Sequence, residues 1–290
     1  MKNIVKRPYR ELCDFTKVYD FMIKNFSIDC KYGSYAPFFE YSLATPWFDN
    51  MQNHRFAVWE DENEVVAFCW CESRLGQVYF DLSKGYEFLI PEMISHAENR
   101  LRDKDGKLQL MVYASQTDIL EEAQRQGYKI VWREESGILD FSNKQLNVPL
   151  PDGYEFETPD KIDVSKVTDM TWRGFDNEGT SPGGVEWDYH TLAAPNATPE
   201  LDVVIKTTTG EYVCFAGMWW VPENKLAYME PLCTVPEHCH KGLASAALSE
   251  LYRRMSKLGA AYMTGGSNEF YYKIGFEKGD ETLYLEKVED

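Results

Sequence analysis

From Glu230 to Leu248 the chain reads EPLCTVPEHCHKGLASAAL, and Cys233, His238, Cys239 and His240 place four residues of metal-ligating type within eight positions. Zinc is the first chemistry this composition suggests, but the spacing argues against it. His238, Cys239 and His240 are consecutive, so their side chains diverge, and neither a C-x-x-C nor an H-x-x-x-H pair fixes a tetrahedron. The same stretch passes from an apolar strand through Gly242 into a segment with Ala244, Ala247, Leu248, Leu251, Met255 and Leu258 at helical spacing. A helix start leaves about four N–H groups unpaired, and with the positive end of the helix dipole they form an anion site that glycine and alanine keep open. From spacing alone, a phosphate cradle and an ordinary glycine turn before a core helix weigh equally. Both outweigh a metal, and no metal site is expected.

Acid–base chemistry has a candidate on the strand just before the turn. Alternation puts Tyr228, Glu230 and Leu232 on one face. There the Glu230 carboxylate serves either as a general base or as a structural anchor for a loop, and the two readings are even. Pro231 lacks an N–H, does not suit a continuous ladder and marks a place where a strand pair can part. Cys69 and Cys71 form a C-x-C on a strand and share a face, a pattern that buried packing explains better than redox work.

The elements that must position these residues come in two similar series. RFAVWED, EVVAFCWCES and QVYFDL read as strands, then LIPEMISHAENRL as a helix, LQLMVYA as a strand, TDILEEAQRQ as a helix, and residues 129 to 141 as a closing strand. SNKQLNVPLPDG, residues 142 to 153, reads as a linker, giving expected domains at 1–143 and 151–290. Beyond it Thr158-Pro159-Asp160 looks like a helix start. LDVVIKT, YVCFAGMWWV and LAYMEPLCTV follow as strands, then a helix from about Lys241 to Leu258, the strand AYMTGG, a short helix at NEFYYK and a last strand near 275 to 288. The recurrence points to a duplicated α/β unit with a mostly antiparallel sheet and flanking helices.

Composition bounds the function. A chain of 290 residues with 44% hydrophobic residues is long enough for about two cores. Its formal net charge of −17 repels phosphate backbones, so nucleic acid is not an expected partner. No apolar run reaches the roughly 18 residues of a membrane span, so no membrane is expected either. The basic N-terminal residues lack the apolar stretch of a secretory signal, and the seven cysteines are odd in number and scattered, so a reducing, cytoplasmic location is expected. The oligomeric state stays open.

TVPEHCHKGLASAAL resembles motif A of the GNAT superfamily of N-acetyltransferases, a strand running into a glycine-rich loop and then a helix. SNEFYYKIGFE resembles the closing F-Y-x-K-x-G-F signature of the same superfamily. Two motifs in the right order are more specific than either alone; the resemblance is close over residues 154 to 288 and extends to the first half in element order. It implies an α/β (α+β) fold of two tandem GNAT-like units, each a mixed, mostly antiparallel sheet flanked by helices. It further implies acetyl-CoA in a cleft between two splayed strands, with the main chain of Leu232, Cys233 and Thr234 on the pantetheine arm. His240, Lys241, Gly242, Leu243, Ala244 and Ser245 would hold the pyrophosphate. Tyr271 falls on the tyrosine that donates to the CoA sulfur, and Asn268 either caps the short helix, the weightier role, or touches the cofactor. Cys239 departs from the family, which has Arg or Gln three residues before the glycine, and this weakens the expected cofactor binding.

On the acceptor side, Trp172, Phe175 and Asp176 lead into FDNEGTSPGG, whose glycines suit a covering loop, with Asp176 and Glu178 able to hold an ammonium. Trp219 and Trp220 supply aromatic walls or core. In the first half, DLSKGYEFLIPEMISHAENRL has Ile90-Pro91 where the paired small residues would stand, so residues 1 to 143 read as a degenerate copy that does not bind CoA. The expected activity is acetyl transfer from acetyl-CoA to a primary amine of a small molecule or peptide, by direct attack. The alternative is a non-catalytic CoA-binding sensor or scaffold.

Overall fold

The computed structural model describes residues 2–287. Within them the chain forms two compact units, residues 2–136 with 279–287 (unit 1) and residues 137–278 (unit 2).

Unit 1 begins with β1 (Ile4–Pro8), α1 (Glu11–Lys24), α2 (Ala36–Ala44), β2 (Ala57–Asp61), β3 (Glu64–Trp70) and β4 (Gln77–Leu82). It continues with α3 (Ile90–Arg100), β5 (Gln109–Tyr113), α4 (Thr117–Arg125) and the first part of β6 (Tyr128–Asp140). β2 and β3 are almost continuously buried, and helices supply the covering faces at helical spacing: Val18, Phe21 and Met22 from α1, and Ile90, Met93, Ile94 and Ala97 from α3. Phe39, Phe56, Phe68 and Trp70 form the aromatic centre of the core. The strand pairs β1–β2, β2–β3 and β3–β4 are antiparallel, and β4–β5 is parallel. Cys69 and Cys71 lie fully inside, and burial pushes the Cys71 thiol up to about 12, far from a reactive thiolate.

Unit 2 takes the end of β6 and adds β7 (Tyr154–Phe156), α5 (Val164–Gly174), α6 (Val185–Leu192), β8 (Val203–Thr207), β9 (Tyr212–Val221), β10 (Leu226–Thr234), α7 (Leu243–Leu258), β11 (Tyr262–Gly265) and α8 (Glu269–Ile274). Its strands are ordered β6-β11-β10-β9-β8-β7, with β10–β11 the parallel pair and the others antiparallel. Each unit is thus a mixed, mostly antiparallel sheet with helices packed on it, as expected.

Four local expectations are corrected. The helix expected at Thr158 is a short 3-10 turn, Pro159–Lys161; α5 starts later, where the Asp163 side chain accepts from Ser165 N–H at 3.0 Å and Lys166 N–H at 3.4 Å. The buried face of α7 includes Leu243, Ala246, Ala247, Leu248, Leu251 and Met255, whereas Leu258 is 49% exposed. The 142–153 segment, read as a linker, lies inside unit 2, because Leu146 is buried in its core and Val148 N–H donates to Ser249 Oγ at 3.0 Å. The last strand, β12 (Glu277–Lys287), does not close unit 2: Thr282, Leu283, Tyr284 and Leu285 pair antiparallel with β5, and Leu283 and Leu285 belong to the core of unit 1. Among the described residues no helix is long and apolar enough to cross a membrane.

Candidate active site

β10 is interrupted where the sequence places Glu230 and Pro231. Met229 pairs with Met218 and Leu232 with Ala216, so Glu230 and Pro231 together face Gly217, which is a β-bulge. Only a glycine fits opposite: a Cβ on Gly217 would stand 2.4 Å from Glu230 O and 2.9 Å from Pro231 Cδ. The bulge ends the simple alternation on which Tyr228, Glu230 and Leu232 were assigned one face, and so re-aims the Glu230 side chain, which is half-buried.

On its other edge β10 pairs with β11 at two positions, Leu226↔Tyr262 and Ala227↔Met263. The next main-chain donor, Met229 N–H, goes to the Thr264 hydroxyl at 2.8 Å instead of to a strand. Beyond the bulge Leu232–Thr234 remain paired to β9 but not to β11, so the parallel pair opens there into a cleft. In an antiparallel ladder alternate main-chain groups point away from the partner, so part of the Leu232–Thr234 edge faces this opening. The Cys233 side chain is a packing group: burial raises its thiol pKa, and it lies so close to α5 that a Cβ on Gly174 would meet Cys233 Sγ at 2.9 Å.

The loop after β10 makes a 3-10 turn at Pro236–His238 and then turns twice through left-handed backbone, His240 at φ 60° and Gly242 at φ 82°. α7 therefore starts abruptly. Ala246 N–H to Gly242 O, at 3.0 Å, opens its ladder, no side chain caps it, and the N–H groups of Leu243, Ala244 and Ser245 have no acceptor from the helix itself. A Cβ on Gly242 would find nothing within 4 Å, so the approach to these amides is open. The would-be zinc ligands are engaged separately. His238 Nδ1 meets Tyr154 OH at 2.8 Å, and the Cys239 thiol turns onto Thr234 O and Val235 O at 3.5 and 3.6 Å. Lys241 Nζ folds back onto Glu237 O at 2.9 Å.

α8 presents Tyr271 from the far side of β11. Its ring lies on two glycines without room for a Cβ, since one added to Gly265 or Gly266 would stand 2.8 or 2.7 Å from the ring, and it packs edge-on to Phe276. Burial, with the Glu230 carboxylate as the second cause, pushes the phenol up to about 12, so it keeps its proton throughout the physiological range. The same coupling places Glu230 and Tyr271 in one electrostatic neighbourhood. Asn268 accepts from Phe270 N–H at 3.1 Å and caps α8.

The segment after α5 is tied down by its own residues: Trp172 Nε1–H donates to Glu178 O at 3.0 Å and Asn177 Nδ2–H to Trp172 O at 3.1 Å. Phe175 is exposed, Trp219 is buried and Trp220 half-buried. Gly174, Gly217 and Thr264 shape the cleft and were not singled out from the sequence. The isolated glycine inside YVCFAGMWWV was the available signal, since glycine in a strand marks a bulge or close approach.

The acetyltransferase (GNAT) family profile matches residues 166–276. No curated protein matches the chain. Among solved structures, a tandem GNAT protein from the clavulanic acid biosynthesis pathway has a TM-score of 0.66 at 12% identity, covering 99% of this chain and 100% of that one. A GNAT-family acetyltransferase from Colwellia psychrerythraea reaches 0.61 at 12% identity, covering 98% of this chain and 100% of that one. A GCN5-related N-acetyltransferase from Sphaerobacter thermophilus reaches 0.58 at 13% identity, covering 97% and 94%. At such identities the structures speak for the fold alone, two GNAT-like units in tandem. The profile match, which lies inside unit 2, makes residues 166–276 similar to the acetyltransferase (GNAT) family, and the solved structures give the whole chain the fold of a tandem GNAT protein.

Proposed function

We propose that unit 2 transfers an acetyl group from acetyl-CoA to a primary amine of a small molecule or peptide. The observation that carries this reading is the opened β10–β11 pair leading straight to the uncapped start of α7. An edge of main-chain amides suits the pantetheine arm, contributed by Leu232, Cys233 and Thr234. Unpaired N–H groups beside a left-handed glycine suit the diphosphate, contributed by His240, Lys241, Gly242, Leu243, Ala244 and Ser245. Because the Cys239 thiol is turned onto loop carbonyls, the cradle works through backbone amides, with Lys241 free to exchange Glu237 O for a phosphate oxygen.

The amine must be neutral to attack the thioester, and Glu230 takes the ammonium proton directly or through water. Tyr271, which stays protonated, donates to the departing thiolate. Direct attack needs no covalent enzyme intermediate, and both groups act from one neighbourhood. Asp176 and Glu178, beside the closed Trp172 turn, are the carboxylates available to the acceptor's ammonium.

The test is thiol release from acetyl-CoA, and from longer acyl-CoAs, across aminoglycosides, polyamines, amino acids and peptides. Turnover that depends on one amine class supports the assignment. Carrier binding without turnover on any amine would favour a sensor, and no heat of binding for acetyl-CoA would remove the reading.

A further inference from the structure

Unit 1 repeats the opened strand pair and fills it with its own side chain. β4 and β5 pair in parallel as far as Tyr79↔Met111, and Phe80–Leu82 and Val112–Tyr113 continue past the last paired position. Between them stands the carboxamide of Gln116, whose Nε2–H donates to Phe80 O at 2.8 Å while its Oε1 accepts from Tyr113 N–H at 3.1 Å. The residue is 3% exposed and is fixed by its backbone, with Gln116 N–H on Tyr113 O at 2.9 Å and Leu120 N–H on Gln116 O at 3.0 Å. Outward of the carboxamide opens a cavity of about 260 Å³, lined by Gln116 itself with Tyr32, Leu82, Ile90, Ser115 and Thr117 among others.

Buried main-chain donors and acceptors must find partners. A pantetheine arm carries two secondary amides, each with one N–H and one C=O, and a glutamine carboxamide offers the same pair at the end of a three-carbon chain. At the equivalent place in unit 2 a single hydroxyl, from Thr264, serves one N–H and leaves the strand edge open. The diphosphate end differs too. In unit 1 a 3-10 turn, Glu87–Leu89, runs directly into α3 and Ile90 N–H is spent on Glu87 O, whereas α7 starts uncapped.

We propose that the cavity in unit 1 is the outer half of a groove for an amide chain of pantetheine type, and that Gln116 occupies its inner half as a built-in surrogate. Gln116 closes the amide half of that groove, as the turn into α3 closes its diphosphate end, and together they confine thioester carriers to unit 2. The comparison with pantetheine rests on the function proposed above for unit 2.

The experiment uses the full chain and pantetheine, which has both amides and no diphosphate. Amide exchange is followed in peptides covering residues 77–83 and 109–116. In Q116A these peptides lose protection, and saturating pantetheine restores it by at least about tenfold in exchange rate, while the wild type does not respond. Q116E keeps the groove filled but replaces the donor to Phe80 O with a second acceptor; its lost protection is not restored. Should Q116A fail to fold, Q116N, one methylene shorter, is expected to respond as Q116A does. Protection that stays lost with pantetheine, or that is never lost, overturns the proposal and reduces Gln116 to a structural staple. Failure of the unit 2 reading is separate: it would appear as no acetyl-CoA protection over residues 229–246 in the wild type.

Discussion

Single groups in this chain have their chemistry set by where they are buried. Tyr271 is a phenol raised to about 12 by burial and by Glu230, so it holds its proton near neutral pH, as the proposed role of acid requires. Tyr271→Phe keeps the ring on Gly265 and Gly266 and removes only the O–H. Turnover should fall by about 100-fold, within the usual range for a general acid, with acetyl-CoA affinity nearly unchanged. An unchanged rate at saturating acetyl-CoA would remove Tyr271 from the chemistry. In unit 1 Asp81 accepts from Ser34 N–H at 2.6 Å and Trp70 Nε1–H at 2.7 Å, yet full burial pushes its carboxyl up to about 7. A carboxyl with a raised folded pKa contributes its full stability below the ordinary value near 3.8 and loses it as pH rises through about 7. Asp81→Asn, neutral at all pH, should therefore gain in melting temperature relative to the wild type between pH 5 and 8; a constant difference across that range would show that Asp81 does not titrate there.

At the scale of elements, the cleft is made by strands that stop pairing. Gly217 is the clearest test, because a Cβ there meets main-chain atoms that cannot rotate away. Gly217→Ala should cost about 1–3 kcal/mol and displace Glu230, lowering turnover more than carrier affinity. Gly259→Ala is the control: that glycine ends α7, at φ 82°, but its Cβ would meet nothing, so the cost is about 1–2 kcal/mol of backbone strain with activity retained. Equal losses of activity in both variants would refute the special role of the bulge. The same region shows what the sequence could carry. The β10–turn–α7 order was legible because strand alternation, Gly242 and the apolar spacing of the helix are local signals. Thr264 was not, since its hydroxyl has a role only because Met229 arrives from a strand 35 residues earlier in the chain. Gln116 escaped for the same reason: in sequence it is one polar residue before a helix, and only the parting of β4 from β5 makes it a plug.

For the whole molecule, the chain's order is not the order of its units. The duplicated element series was readable and led to a cut near residue 143, but the strand that follows α8 adds to β5 and completes unit 1. Nothing in EKGDETLYLEK could reveal this, because alternation specifies which face is buried and is silent on which neighbour the edge will meet. Leu283 and Leu285 are fully buried in the core of unit 1, and burying each is worth roughly 1.5–3 kcal/mol, a large part of the stability of a unit this size. A fragment of residues 1–143 should therefore fail to fold cooperatively, showing a non-sigmoidal urea titration, although it holds every strand the sequence assigns to the first domain. Deleting residues 279–290 from the full chain should strip amide-exchange protection from β5 and β4 before it affects β8 and β9, whose ladder lies wholly within unit 2. Adding a peptide of residues 277–290 to the 1–143 fragment supplies the missing edge and should restore a sigmoidal transition; a 1–143 fragment that folds unaided would show that β12 is dispensable to unit 1.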